Sequence, residues 1–221
     1  MTQGRLGIIQ SRGLGDIVIA LPIAGHYHDL GWSIHWPILE QFVPHARAMA
    51  PWVRWTPVPY DAPGRYFYDV PNRILRQQGC DEILCLYQAL TGHDFHTHAC
   101  FQHTSFDQHK YTVASVPFVK KWDLARYITR TPARETALID QLRTDQPHYA
   151  VLHLEGSDHR AEFDRSAIPA DWQIIEITAE PDRLLTDWIE LVDQADSVVC
   201  VDSVWANLVD QLALGSDRYF I

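Results

Sequence analysis

Residues 4–25 read GRLGIIQSRGLGDIVIALPIAG, and this stretch decides the fold. Leu6, Ile8 and Ile9 form a short apolar run, and a polar, glycine-bearing turn follows from Gln10 to Gly15. Asp16 then opens a second apolar run of Ile17, Val18, Ile19, Ala20 and Leu21. A buried strand, a tight turn and the start of a helix produce that order. Gly13 and Gly15 let the backbone bend sharply and admit a ligand close to it. Asp16 falls where a helix start favours negative charge, and a carboxylate held above the edge of a sheet is a candidate general base. The same residues also describe an ordinary strand-to-helix connection capped by Asp16. They are not a dinucleotide fingerprint, because the G-x-G-x-x-G spacing fails after Gly15, and no Gly-Lys-Ser/Thr of a P-loop follows.

The pattern continues outward. Gly31 ends the first helix, Trp32 to Trp36 reads as a second strand stopped by Pro37, and Glu40 to Met49 is helical despite Pro44. VRWTPV at 53–58 is a third strand with Val53, Trp55 and Val58 inward. Arg73 to Gln78 finishes a helix stopped by Gly79, and DEILCLY at 81–87 is a fourth buried strand. Alternating strands and helices imply a parallel sheet covered on both faces, with binding beyond the carboxyl ends of the strands. From Leu90 to Lys121 the pattern breaks into a histidine- and aromatic-rich stretch, read as a loop or lid just past the end of a strand. His93, His96, His98, Cys100 and His103 lie close together there, but no usual zinc spacing is present, so polar loop histidines are expected. Lys120 and Lys121 precede Trp122, and Arg126 and Arg130 follow; the cluster suits a phosphate or a solvated helix face. Glu135 to Leu142 is helical, and the polar joint from Thr144 to Pro147 marks the predicted boundary between domains 1–146 and 147–221.

The second half opens with YAVLHLEGSD: a strand from Tyr149 to Leu154, then a turn in which Gly156 and Ser157 can present donors to a phosphate. Trp172 to Ile177 is a strand, Leu184 to Gln194 a helix, and Ser197 to Val201 a buried strand ending in Asp202 and Ser203. A helix from Val204 to about Leu212 and a terminal strand at RYFI complete the chain.

The 221 residues carry 47% hydrophobic and 21% charged side chains, which fits a globular protein with room for a full core. A formal charge of -10 argues against broad nucleic-acid binding and against docking on an anionic membrane. No signal peptide or spanning segment is evident, and four cysteines without a C-x-x-C pair suit a reduced, cytoplasmic protein. The eight tryptophans, with Trp32, Trp36, Trp52 and Trp55 close in sequence, are expected mainly in the core.

The run GLGDIVIALPIAG resembles the opening of the heptosyltransferase-like sugar transferases of glycosyltransferase family nine, and ADSVVCVDSVWANLVDQLALG at 195–215 resembles that family's donor motif. The resemblance implies a GT-B architecture of two Rossmann-like domains, the second one short here, with a nucleotide-sugar donor and a saccharide or other hydroxyl-bearing acceptor. It implies inverting transfer with Asp16 as catalytic base, no metal and no cofactor. Donor contacts carry over to Gly156, Ser157, Arg160, Asp202, Ser203 and Asn207, and the acceptor side to Arg12, Gly13, Gly15, His93 and Lys120. Val204 stands where the family has glycine and Asn207 where it has histidine, so a catalytically silent nucleotide- or sugar-binding module of the same fold is the alternative. An unrelated doubly wound protein with a coincidental Gly-Asp turn is a third reading. An uncovered final strand predicts a homodimer.

Overall fold

The computed structural model describes residues 3–60, 65–87, 105–156, 159–180 and 182–221. The chain forms two compact units, Met1–Ile128 and Thr129–Ile221, each built around a four-stranded, all-parallel sheet.

In the first unit β1 (Gly4–Ile9) leads through α1 (Leu14–Asp29) to β2 (Trp32–Leu39), then through a 3-10 turn and α2 (Val43–Met49) to β3 (Arg54–Val58). Then α3 (Asp69–Gln77) crosses to β4 (Glu82–Cys85), which pairs with the other edge of β1, giving the order β3-β2-β1-β4. Pro37 lies inside β2 rather than ending it. The pairing of β2 with β1 is interrupted after His35, at the proline that has no N–H to give, and the Leu39 N–H then donates to the Ser11 carbonyl at 2.9 Å; on its other side Pro37 pairs Thr56 of β3, which keeps the strand going. Pro44 sits in the first turn of α2, where a helix needs no N–H partner.

Residues from Ile17 to Gly25 of α1 are buried on every side. The sheet covers one face, and α4 (Phe106–Val113) with the 3-10 segment Phe118–Arg126 covers the other, which is why this helix is apolar all round. The predicted patternless stretch is therefore helical from Phe106 onward, while 88–104 lie outside the described residues. Trp36, wholly buried, stacks on Trp55 at 5.1 Å between ring centroids; Trp188 and Trp205 are buried too, whereas Trp32, Trp52 and Trp172 are part-buried and Trp122 is exposed, so the core holds half of the tryptophans rather than most.

In the second unit α5 (Pro132–Leu142) precedes β5 (Tyr149–His153), followed by β6 (Gln173–Glu176), the short α6 (Ile189–Asp193), β7 (Ser197–Cys200), α7 (Val204–Leu212) and β8 (Asp217–Phe220). The strand order is β6-β5-β7-β8. The helix read over Leu184 to Gln194 is a 3-10 turn, Leu185–Trp188, running into α6. Ala150, Leu152, Leu154, Ile168 and Val199 pack one side of this sheet.

The chain divides before α5, not after it. The Arg134 guanidinium grips the Asp187 carboxylate with its Nε at 2.8 Å, Arg130 bridges Glu135 and Glu190, and the Glu190 N–H donates to Glu135 at 3.1 Å. Those bonds bind α5 to the second unit, and a reading by polar joints alone, which put the boundary after Gln146, misses them. Among the described residues no helix is long and apolar enough to cross a membrane.

Candidate functional site

Each sheet reverses its strand order once, between β1 and β4 in the first unit and between β5 and β7 in the second. A parallel sheet of this kind opens a crevice at the carboxyl ends of such neighbouring strands. The Gln10–Asp16 turn leaves β1 at the first switch point. At the second, Gly156 follows β5 and Ser203 follows β7.

Gly13 takes a left-handed φ of 80° and caps α1, its carbonyl accepting from the Ile17 N–H at 3.0 Å. A Cβ there would collide with the Asp16 carboxylate, so only glycine fits. Gly15 differs from expectation, lying within the first turn of α1 in helical conformation. Asp16 shares that turn and is 26% exposed, so its carboxylate meets both the helix dipole and solvent.

Contacts from four directions hold the turn. The Trp36 indole N–H donates to the Gln10 carbonyl at 3.0 Å, and the Gln10 amide donates to the Arg12 carbonyl at 2.9 Å. The Arg12 N–H donates to the Tyr87 hydroxyl at 2.7 Å, and the buried Ser11 hydroxyl bonds the Tyr66 carbonyl. From α4 comes Lys110, with a fully buried side chain: its Nζ donates to Gln10 Oε1 at 2.6 Å and stands 3.5 Å from Asp16 Oδ1. Burial pushes this lysine below its ordinary value, and the Asp16 charge is the largest influence pulling it back. Burial likewise pushes the Tyr87 phenol up to about 12, so it stays protonated.

Of the acceptor-side residues, Arg12, Gly13 and Gly15 share the turn with Asp16. The exposed Arg12 guanidinium lies 3.4 Å from the Tyr66 hydroxyl. Lys120 is on the 3-10 segment and donates to Asp123 at 2.9 Å. His93 lies outside the described residues, as do His96, His98, Cys100 and His103.

In the second unit Ser203 caps α7, its hydroxyl accepting from the N–H groups of Trp205 at 3.2 Å and Ala206 at 3.5 Å. The same oxygen is 3.0 Å from Nδ1 of His153, the last residue of β5. With both N–H groups pointing at Ser203, its own proton goes to His153, which must then be neutral at Nδ1. Burial holds that ring down to about 4, against the opposing pull of Glu155 and Glu176. Asn207 turns back on its own helix, its amide donating to the Ser203 carbonyl at 2.9 Å. Asp202 is exposed just before the cap. Gly156 donates its N–H to the His159 carbonyl at 2.8 Å, and Ser157 lies outside the described residues. Arg160 is taken up by two carboxylates, Glu155 at 2.9 Å and Glu176.

Sequence reasoning missed Lys110, Tyr87 and His153. A histidine interrupting the apolar strand YAVLHL was a visible signal for His153. Lys110 carried none, because it lies far along the chain from Asp16 in a segment without periodicity.

No protein-family profile matches this sequence. No curated protein matches it either. Solved structures do resemble its fold. The E. coli heptosyltransferase WaaC, solved with ADP-2-deoxy-2-fluoro heptose, is 15% identical at a TM-score of 0.54, with 98% of this chain and 92% of that one covered. A family 9 glycosyl transferase from Veillonella parvula is 9% identical at a TM-score of 0.56, covering 100% and 86%. The E. coli ADP-heptose lps heptosyltransferase II is 11% identical at 0.55, covering 99% and 90%. At such identities the likeness is one of fold.

Proposed function

We propose that the protein is a glycosyltransferase of GT-B type that moves a sugar from a nucleotide-sugar donor to an acceptor hydroxyl, with inversion and without a metal. The observation that carries this reading is Asp16, a part-exposed carboxylate fixed at the switch point of a sheet whose fold resembles heptosyltransferases. In this reading the first unit binds the acceptor and the second the donor. The acceptor O–H bond breaks as its oxygen attacks the anomeric carbon, the proton passes to the Asp16 carboxylate, and the nucleoside diphosphate leaves with the bonding pair. The N-terminal amides of α7, ordered by Ser203, stabilise the charge that gathers on the leaving diphosphate. Gly156 supplies backbone room beside it. Arg160, already neutralised by Glu155 and Glu176, orders the Gly156 turn rather than meeting the phosphates as an unpaired cation.

Two measurements test this. A thermal-shift screen with ADP, UDP, GDP and ADP-heptose should show a raised melting temperature for one base, since a ligand of the native state stabilises it by mass action. The shift should shrink in Ser203→Ala when measured against that variant's own unliganded melt. With the donor so identified, Asp16→Asn should lower transfer about 100- to 10,000-fold, the usual contribution of a positioned base. Turnover within a few-fold of wild type would remove Asp16 from the role.

A further inference from the structure

We propose that Lys110 is a positioning residue for Asp16: its buried ammonium holds the carboxylate in place and keeps it ionised, while the Gln10 bond ties that pair to the turn. The inference deepens the reading of Asp16 as the base and rests on it.

The Lys110 side chain is fully buried, a placement lysine adopts only when its charge is answered. Among the described residues, the groups around it on each packed element are few. From α4 come Asp107, the neighbouring His109 and the Phe106 ring, 4.1 Å from Nζ. From β4 comes Cys85, whose thiol burial pushes up and so keeps protonated. The turn supplies Gln10 and Asp16, and Tyr87 after β4 lies within the field of Asp16. Asp107 is bonded to Lys121 at 2.7 Å. Asp16 is therefore the anion that answers Lys110.

A hydrophobic side chain of similar length would fill the same space, at the cost in stability of taking the ammonium away from Asp16 and Gln10. What such a residue could not do is act on the carboxylate. Lys110 faces Oδ1, while Oδ2 lies over Gly13. That fixes the rotation of the carboxylate about the side chain and favours its charged form. A base must be unprotonated before it can take the acceptor proton, so the pair extends the working range of Asp16 to lower pH. Gln10 links the two functions, because the same amide that accepts from Lys110 donates to the Arg12 carbonyl and shapes the turn.

The test needs no substrate. The Asp16 carboxyl carbon is titrated by NMR in the wild type and in Lys110→Met, with Asp16→Asn to assign the signal. Loss of the ammonium should raise the Asp16 midpoint by about 1 to 3 pH units. If the methionine variant does not fold, Lys110→Gln serves, since it is equally uncharged. A midpoint unchanged in a folded variant overturns the proposal, because an ammonium that keeps the carboxylate ionised must shift its titration when it is removed. Where transfer is measurable, the acid limb of kcat/KM should move up by the same interval. A raised midpoint beside an active Asp16→Asn variant supports the pairing and overturns the base reading instead.

Discussion

Replacing His153 by Asn removes a titrating ring while keeping an oxygen that can accept the Ser203 proton, and it isolates one contribution to acid stability. The native ring lies 3.0 Å from Ser203 Oγ, and burial holds it at about 4 against an ordinary value of 6.5. The sign follows from which state binds the proton. Above about pH 6.5 the ring is neutral folded and unfolded, so it adds no pH dependence. As pH falls from there, the unfolded chain takes up a proton that the native state refuses, and stability declines until the folded ring also titrates near pH 4. The gap between the two values corresponds to about 3 kcal/mol. Urea unfolding of wild type and His153→Asn over a pH series measures it. The rest of the chain is the same in both proteins, so the difference between the two curves isolates the ring. That difference should be flat above about pH 7 and should move by about 3 kcal/mol against the wild type down to about pH 4. Parallel curves would refute the reasoning: the folded ring would then titrate as it does in the unfolded chain, and burial would not be holding it neutral as the pH falls below 6.5.

Two further substitutions probe the scaffold. Gly25→Ala would place a Cβ inside the Tyr127 ring, which is pinned by its hydroxyl on Asp29 at 2.8 Å and by the Trp52 indole on its carbonyl at 2.8 Å; a loss of about 1–3 kcal/mol is expected, seen as a lower melting temperature. Ala213 ends α7 in the left-handed region at φ 55°, so Ala213→Gly should stabilise the protein by about 0.5–1 kcal/mol in the same assay, unlike most glycine substitutions.

The first β-α unit was legible because both of its signals are local. A four-residue apolar strand end, a left-handed Gly13 and a carboxylate three residues on all act within one turn of chain. The strand and helix around Ser203 were legible for the same reason, and α7 spans the expected residues. Pro37 misled because a proline stops a strand only where its N–H is needed, and whether it is needed depends on a neighbour in the sheet. The placement of α5 depended on ion pairs to Asp187 and Glu190, about 50 residues away in sequence. Lys110 was hidden by the same distance. Pattern reading assigns a lysine to the surface, and only its approach to Asp16 and Gln10 explains why this one is inside.

The two switch points are chemically opposite, and that opposition bears on the proposed division of labour. At the start of α1 the positive end of the helix is answered by the chain's own Asp16, and Lys110 compensates the carboxylate from behind. An anionic ligand would meet a carboxylate there, whereas a neutral hydroxyl could donate to it. At the start of α7 the cap is the uncharged Ser203, and its partner His153 is neutral as well. The field of that helix is therefore not cancelled by its own cap. Asp202 precedes the cap, but its side chain is exposed to solvent, which screens it. One helix start thus suits the hydroxyl, and the other the diphosphate, of the proposed transfer. Exchanging the caps would exchange those preferences: a carboxylate at position 203 should repel the diphosphate by like charge while still capping the helix.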